Sequence, residues 1–195
     1  RWDQYGMKLG LWFNPLAAAC SSDMLARHGD CVRSWRDVPS APAPVWETED
    51  SVSLCLVSRY RDAFADRLIQ LALEEGVRYF KWDAIDLYGC DAPGHFHGDA
   101  GNTPQERADC HAFELVRSMV HVVERLQQAC PDAIVDFDVT EGGRAFGLGF
   151  LSAGKYFLIN NGPYFQNYDV PIDPVRNNWN LFFQPGHARN RMLRM

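Results

Sequence analysis

The sequence predicts an α/β fold: part of a TIM-type (β/α) barrel with parallel strands, truncated at both ends. Three observations carry that expectation. Apolar strand-like runs alternate with amphipathic helical runs, which is the pattern of parallel βα units. Each strand-like run has one apolar and one polar face, and the polar residues gather toward its C-terminal end, where a barrel opens. The chain has 195 residues, whereas a complete barrel takes roughly 250, so the four or five strands readable here make part of one. An open doubly wound sheet also binds ligands at strand C-termini, but no GxGxxG or GxxxxGK[ST] loop is present, and "GRAFGLG" lacks the fingerprint spacing.

The elements follow in order within one expected domain, 1–195. "MKLGLWFNP" reads as a strand stopped by Pro15, with Lys8, Gly10, Trp12 and Asn14 on one face and Leu9, Leu11 and Phe13 on the other. An irregular loop insertion is expected at about 16–50, ending in the proline-rich "DVPSAPAPVW", after which "SVSLCLV" resumes as an apolar strand. "YRDAFADRLIQLALEEG" places Phe64, Leu68, Leu71 and Ala72 at helical spacing, with Gly76 at the C-terminal cap. The strand "VRYFKWD" follows directly.

Thr103, Pro104 and Glu106 start the next helix as cap, first-turn proline and capping-box acid. Phe113, Val116, Val120 and Val123 form one apolar stripe of it, widened by Leu115, Met119, Val122 and Leu126. The helix is expected to end near Cys130 and Pro131. "AIVDFDVTEGGR" is then a strand with Asp136, Asp138 and Thr140 on one face and Val135, Phe137 and Val139 on the other, and "KYFLINNGP" is a further strand.

Composition narrows the partners. Nineteen Lys and Arg against twenty-five Asp and Glu leave a net charge of −6, which argues against nucleic acid, for which a basic face is needed. No apolar run approaches the roughly 20 residues of a membrane span. The six cysteines contain no CxxC pair and so no zinc-finger or thioredoxin signal, although Cys20 and Cys31 flank a polar loop and are a possible disulfide in an exported protein.

The stretch "YFKWDAIDLYG" poses the functional question. Tyr79, Lys81 and Asp83 share one face of an extended chain, and Phe80 and Trp82 share the other. A buried strand carries such a charged pair where its ions hold a structural bridge or face a cavity in which they work. "GLWFNP", "CLVSRYRDAFADRLIQLALEEGVRYFKWD" and "DVTEGGRAFGLG", in that order over roughly residues 5–165, resemble the central barrel of the melibiase-like α-galactosidases. That family consists of retaining α-glycosidases with a β/α-barrel catalytic domain.

The resemblance implies a glycoside hydrolase acting on α-linked glycosides, with no cofactor. Asp83 would be the nucleophile, Lys81 and Trp12 would line the sugar site, and Arg144 would sit on the rim. Trp12 is then expected within contact distance of Asp83. An oligosaccharide or glycoside would be the substrate, and the remaining barrel strands or other domains of the same full-length protein would be the structural partners. The chain departs from the family pattern at Asp138, where the family has a cysteine, and at Asn14, where it has an acidic residue. The strand that should carry the general acid reads "FLINNGPYF". Asn160 cannot donate a proton as a carboxylic acid does and is left to bind substrate. The acid is Glu141 or Asp169, or the chemistry is altered.

Retention needs one ionised carboxylate and one protonated carboxyl group about 5 to 5.5 Å apart, and Lys81 beside Asp83 favours the ionised form of a nucleophile. Asp136 and Asp138 fit sugar hydroxyls, or pairs with Lys8 or Arg144. A rival reading comes from "CDAPGHFHGDAG", where Cys90, Asp91, His95, His97 and Asp99 crowd one loop with ligand chemistry but in no standard metal spacing. No metal ligand is therefore assigned, and that loop reads as a substrate-contacting rim or as ordinary solvated loop. His111 and His121 read as packing or surface residues. A metal-dependent barrel hydrolase and a catalytically silent carbohydrate-binding relative are the alternatives.

Overall fold

The computed structural model describes residues 3–44, 49–83, 89–138, 156–159 and 191–194. Its main sheet has the strand order β1 (Leu9–Phe13), β7 (Val77–Trp82), β8 (Ile134–Asp138), β9 (Tyr156–Ile159) and β10 (Arg191–Arg194). The pairings β1–β7, β7–β8 and β8–β9 are parallel, and β10 runs antiparallel to β9. In the described connections β1 leads to β7 through a segment containing a helix at Tyr60–Glu74, and β7 to β8 through one containing a helix at Pro104–Ala129, as the alternating sequence pattern predicts. Among the described residues β1 and β10 are the edges of this sheet, so the observed architecture is an α/β sheet consistent with part of a barrel.

Two expectations need correction. "SVSLCLV" does not enter the main sheet. Only β6 (Asp50–Ser53) forms there, and it pairs antiparallel with β2 (Ala17–Ala19) and β5 (Ala43–Pro44) in a separate small sheet. An apolar run reports burial but not which sheet buries it. Nor is the insertion irregular: besides β2 and β5 it holds α1 (Asp23–His28), capped by the Ser22 side chain, and a hairpin of β3 (Ser34–Trp35) and β4 (Val38–Pro39). The hairpin turn puts Arg36 and Asp37 at φ 54° and 60°, the left-handed pair that two-residue hairpins use. The buried Asp91 carboxylate takes hydrogen bonds from both their amides and, at 2.6 Å, from the Ser34 hydroxyl. A clamp arriving from more than fifty residues away stands in for the usual glycine.

The helices follow their sequence signals closely. In α2 (Tyr60–Glu74) Phe64, Leu68, Leu71 and Ala72 are buried, and Gly76 adopts φ 72° just past the end, where a left-handed residue closes a helix. In α3 (Pro104–Ala129) Thr103 and Glu106 form the reciprocal capping box, and the hydrogen bonds that the Thr103 backbone and side chain donate to the Glu106 carboxylate hold it below its ordinary range. Phe113 does not join the core: it is 68% exposed, with the Arg117 guanidinium over its ring. At about 100° per residue it lies half a turn around the helix from Val122, which is fully buried together with Leu115, Met119, Val123 and Leu126.

All six cysteines are free in the structure, so the Cys20–Cys31 pairing is not formed; Cys20 is exposed and Cys31 buried. The core lies between the helices and the apolar faces of the strands. Its centre is aromatic, with Trp82 5.6 Å from Phe64 and 5.3 Å from Phe137, and Phe13 6.0 Å from Phe80. Because Phe80 and Trp82 bury themselves on this side, the pleat of β7 delivers Tyr79 and Lys81 to the other.

The aromatic centre makes a simple prediction for urea unfolding. Phe64→Ala should lower stability by about 3–5 kcal/mol through lost contact and a residual cavity. Trp82→Phe should cost less than about 2 kcal/mol, because the buried Trp82 indole N–H has no hydrogen-bond partner among the described residues and nothing polar is stranded when it goes. Equal losses in the two variants would contradict this packing.

Candidate active site

The polar face of the main sheet is built in rows. Parallel register aligns Trp12 of β1 with Lys81 of β7 and Asp136 of β8, and one strand further Tyr156 of β9. Asp83 lies just past the end of β7, and its amide donates to the Phe13 carbonyl at 2.8 Å, continuing the β1–β7 ladder to the strand ends. The Asp83 side chain is only 2% exposed. Its Oδ2 accepts a 2.9 Å hydrogen bond from Trp12 Nε1 and lies 3.7 Å from Lys81 Nζ. Trp12 is thus in direct contact with Asp83, from the neighbouring strand.

A buried carboxylate is costly unless it is paired and hydrogen-bonded. Here both partners come from the same structural row, one from each of two adjacent strands. The indole fixes the carboxylate's orientation and the ammonium supplies its counter-charge. Lys81 is 25% exposed and Trp12 is 41% exposed, so the pair opens from a buried anion toward surface that a ligand can cover.

From the preceding row, in register with Ile134, Tyr79 donates its hydroxyl to Asp136 Oδ2, and Asp136 is fully buried. Burial, and then the Asp136 carboxylate, push the Tyr79 hydroxyl well above the usual phenol range, so it remains a donor. Gly10 makes room for this contact, since a Cβ there would lie 3.2 Å from the Tyr79 ring. Asp136 therefore serves Tyr79 inside the sheet. Asn14 directs its Oδ1 to the Leu16 amide at 3.0 Å, shaping the turn that leaves β1. Asp138 sits at the last position of β8, in register with Leu158. Glu141, Arg144, Asn160 and Asp169 lie outside the described residues.

The loop that follows β7 is held firmly. Arg107, buried at the start of α3, donates to the carbonyls of Asp91, Asp99 and Asn102, and the Phe96 amide donates to the Val57 carbonyl at 3.0 Å. Of the five polar residues crowded in this loop, Asp91 clamps the β3–β4 hairpin, and Asp99 Oδ1 accepts from the Gly101 amide at 2.7 Å. Cys90, His95 and His97 instead gather with Cys55. Cys55 carried no signal in the sequence, because it stands 35 positions before Cys90 in an apolar run.

No family model matches the chain, and no curated protein matches it. Among solved structures it resembles the α-galactosidase from Lactobacillus brevis, at 22% identity and a TM-score of 0.59, covering 95% of this chain and 22% of that one. It also resembles the GH36 α-galactosidase AgaA from Geobacillus stearothermophilus in complex with 1-deoxygalactonojirimycin, at 18% identity and a TM-score of 0.55, over 82% of this chain and 20% of that one. A third is TtGalA, an α-galactosidase from Thermus thermophilus in complex with stachyose, at 18% identity and a TM-score of 0.51, over 96% of this chain and 34% of that one. The likeness is one of fold, and the chain spans between a fifth and a third of these proteins' length.

The Lys81–Asp83 pair is testable by a double-mutant cycle in urea. Lys81→Met should cost about 2–3 kcal/mol, toward the lower side of broken buried pairs because Lys81 is partly exposed. Adding Asp83→Asn should recover part of that loss, because the stranded charge goes with it. Strictly additive effects would mean that the two groups do not interact in solution.

Proposed function

We propose that this chain forms part of the catalytic barrel of a retaining α-glycosidase, acting on α-linked galactosides or closely related glycosides, with Asp83 as nucleophile. The observation that carries the reading is the convergence of Trp12 and Lys81 on one oxygen of a buried aspartate at the C-terminal end of a parallel strand. In a β/α barrel that end faces the substrate. The fold shared with three α-galactosidases supports it.

On this reading an Asp83 carboxylate oxygen attacks the anomeric carbon as the bond from that carbon to the leaving oxygen breaks. A carboxylic acid gives its proton to the leaving oxygen, and Asp83 becomes a glycosyl ester of inverted configuration. Water then attacks the same carbon, the acid's conjugate base takes the water's proton, and Asp83 departs as carboxylate, restoring the original configuration. Trp12 and Lys81 hold the nucleophile in place throughout. Asn14, Asp138, Arg144 and Asn160 surround the sugar, and Glu141 or Asp169 supplies the proton. The rest of the barrel comes from other parts of the full-length protein.

The acid is identified by its dependence on the leaving group. In the full-length polypeptide, Asp83→Asn should lower turnover of aryl α-galactosides at least about 10³-fold with all leaving groups. Glu141→Gln should lose on the order of 10²- to 10⁴-fold on poor leaving groups and far less on activated ones, while Asp169→Asn changes little. The opposite pattern assigns the acid to Asp169. Binding of galactosides without turnover in the unsubstituted protein would make it a silent carbohydrate-binding relative.

A further inference from the structure

We propose that Cys55, Cys90, His95 and His97 form a closed Zn²⁺ site that ties the loop after β7 to the segment after β6. One ligand atom from each of the four lies within 4.8 Å of all the others. Tetrahedral zinc, with sulfur at about 2.3 Å and nitrogen at about 2.0 Å, places its ligands roughly 3.3–3.8 Å apart. Cys90 Sγ and His95 Nδ1 already stand 3.7 Å apart, and the widest pair has to close by about 1 Å to reach that geometry.

The surroundings suit a metal better than an unassisted polar core. His97 is 2% exposed; the Cys90 thiol is the polar group its ring approaches, and neither ring nitrogen makes a hydrogen bond of good geometry among the described residues. Buried polar atoms left in that condition are rare and costly, and a bound cation would satisfy one of them. His95 turns its other nitrogen, Nε2, to the Asp30 carbonyl at 3.1 Å. With the proton on Nε2, the lone pair of Nδ1 points into the cluster, as the outer hydrogen bond of a metal-bound histidine does. His111 braces the His97 ring edge-on, with centroids 5.2 Å apart. The Cys55 amide is fixed to the Cys31 carbonyl at 2.8 Å.

The ligand set selects the ion. Two thiolates and two neutral imidazoles favour zinc over magnesium or calcium, which take oxygen ligands. The two thiolate charges cancel those of Zn²⁺, so the buried centre is neutral. Four protein ligands leave no open position, which marks a structural site and not a catalytic one. The site would tie Cys90, His95 and His97, which follow β7 in the chain, to Cys55.

Metal exchange in the full-length protein, purified under reducing conditions, tests this directly. Freshly isolated protein should hold one zinc per chain. After removal by a chelator, one equivalent of Co²⁺ should give the intense visible bands of a tetrahedral ion together with thiolate-to-cobalt charge transfer, and Zn²⁺ should abolish both. Cys55→Ser and Cys90→Ser should each weaken metal binding on the order of 100-fold or more and diminish the charge transfer. Cys20→Ser and Cys110→Ser, at exposed cysteines, should not change it. If the ligand variants fail to fold, the cobalt spectrum of the unsubstituted chain decides alone. Weak octahedral bands, no binding, or a Cys55–Cys90 disulfide persisting in zinc-supplemented protein would overturn the site.

Discussion

The fold around the candidate site depends on one constraint: a carboxylate that is 2% exposed must be held by partners fixed in advance. Asp83 meets it through the register of β1 and β7. Trp12 and Lys81 are Cα partners across that pair, so the two groups that touch Asp83 Oδ2 are set by the same ladder that continues from Phe13 to the Asp83 amide. A shift of one residue would turn Trp12 to the opposite face and bring an apolar neighbour to the carboxylate. The opposite face of β7 guards against that shift, because Phe80 and Trp82 are locked among Phe13, Phe64 and Phe137.

Alternation makes this part of the molecule legible in the sequence. A strand has a period of two, so the polar and apolar faces of "YFKWD" separate by position along the chain alone, and the helix caps at Thr103 and Gly76 depend only on their own neighbours. What escapes the sequence is uniformly nonlocal. The left-handed turn at Arg36 and Asp37 carries no glycine because Asp91, far along the chain, supplies the hydrogen bonds. Of the run from Ser51 to Val57 only Ser51–Ser53 is strand, and it joins a different sheet from the one the composition suggests. Phe113 sits at the outer edge of its stripe: Val116, Val120 and Val123 reach the core, and Phe113 does not.

The same limit hides the cysteine and histidine cluster. Three of its members lie in one conspicuous loop, but the fourth comes from a segment that reads only as hydrophobic, and the two aspartates that look like companions are occupied elsewhere. The loop that leaves β7 is thereby divided in its tasks. Asp91 and Arg107 shape its backbone, and Cys90, His95 and His97 gather with Cys55.

Covalent trapping tests the central claim most directly. The full-length protein would be incubated with an activated 2-deoxy-2-fluoro or 5-fluoro galactosyl donor, digested with protease, and its peptides mapped by mass spectrometry. The account predicts one stoichiometric glycosyl ester on the peptide that contains Asp83, with fragmentation placing the sugar on that side chain. A protein that turns over galactosides while carrying the label on any other carboxylate, or none at all, would contradict it and return Lys81 and Asp83 to the role of a structural ion pair.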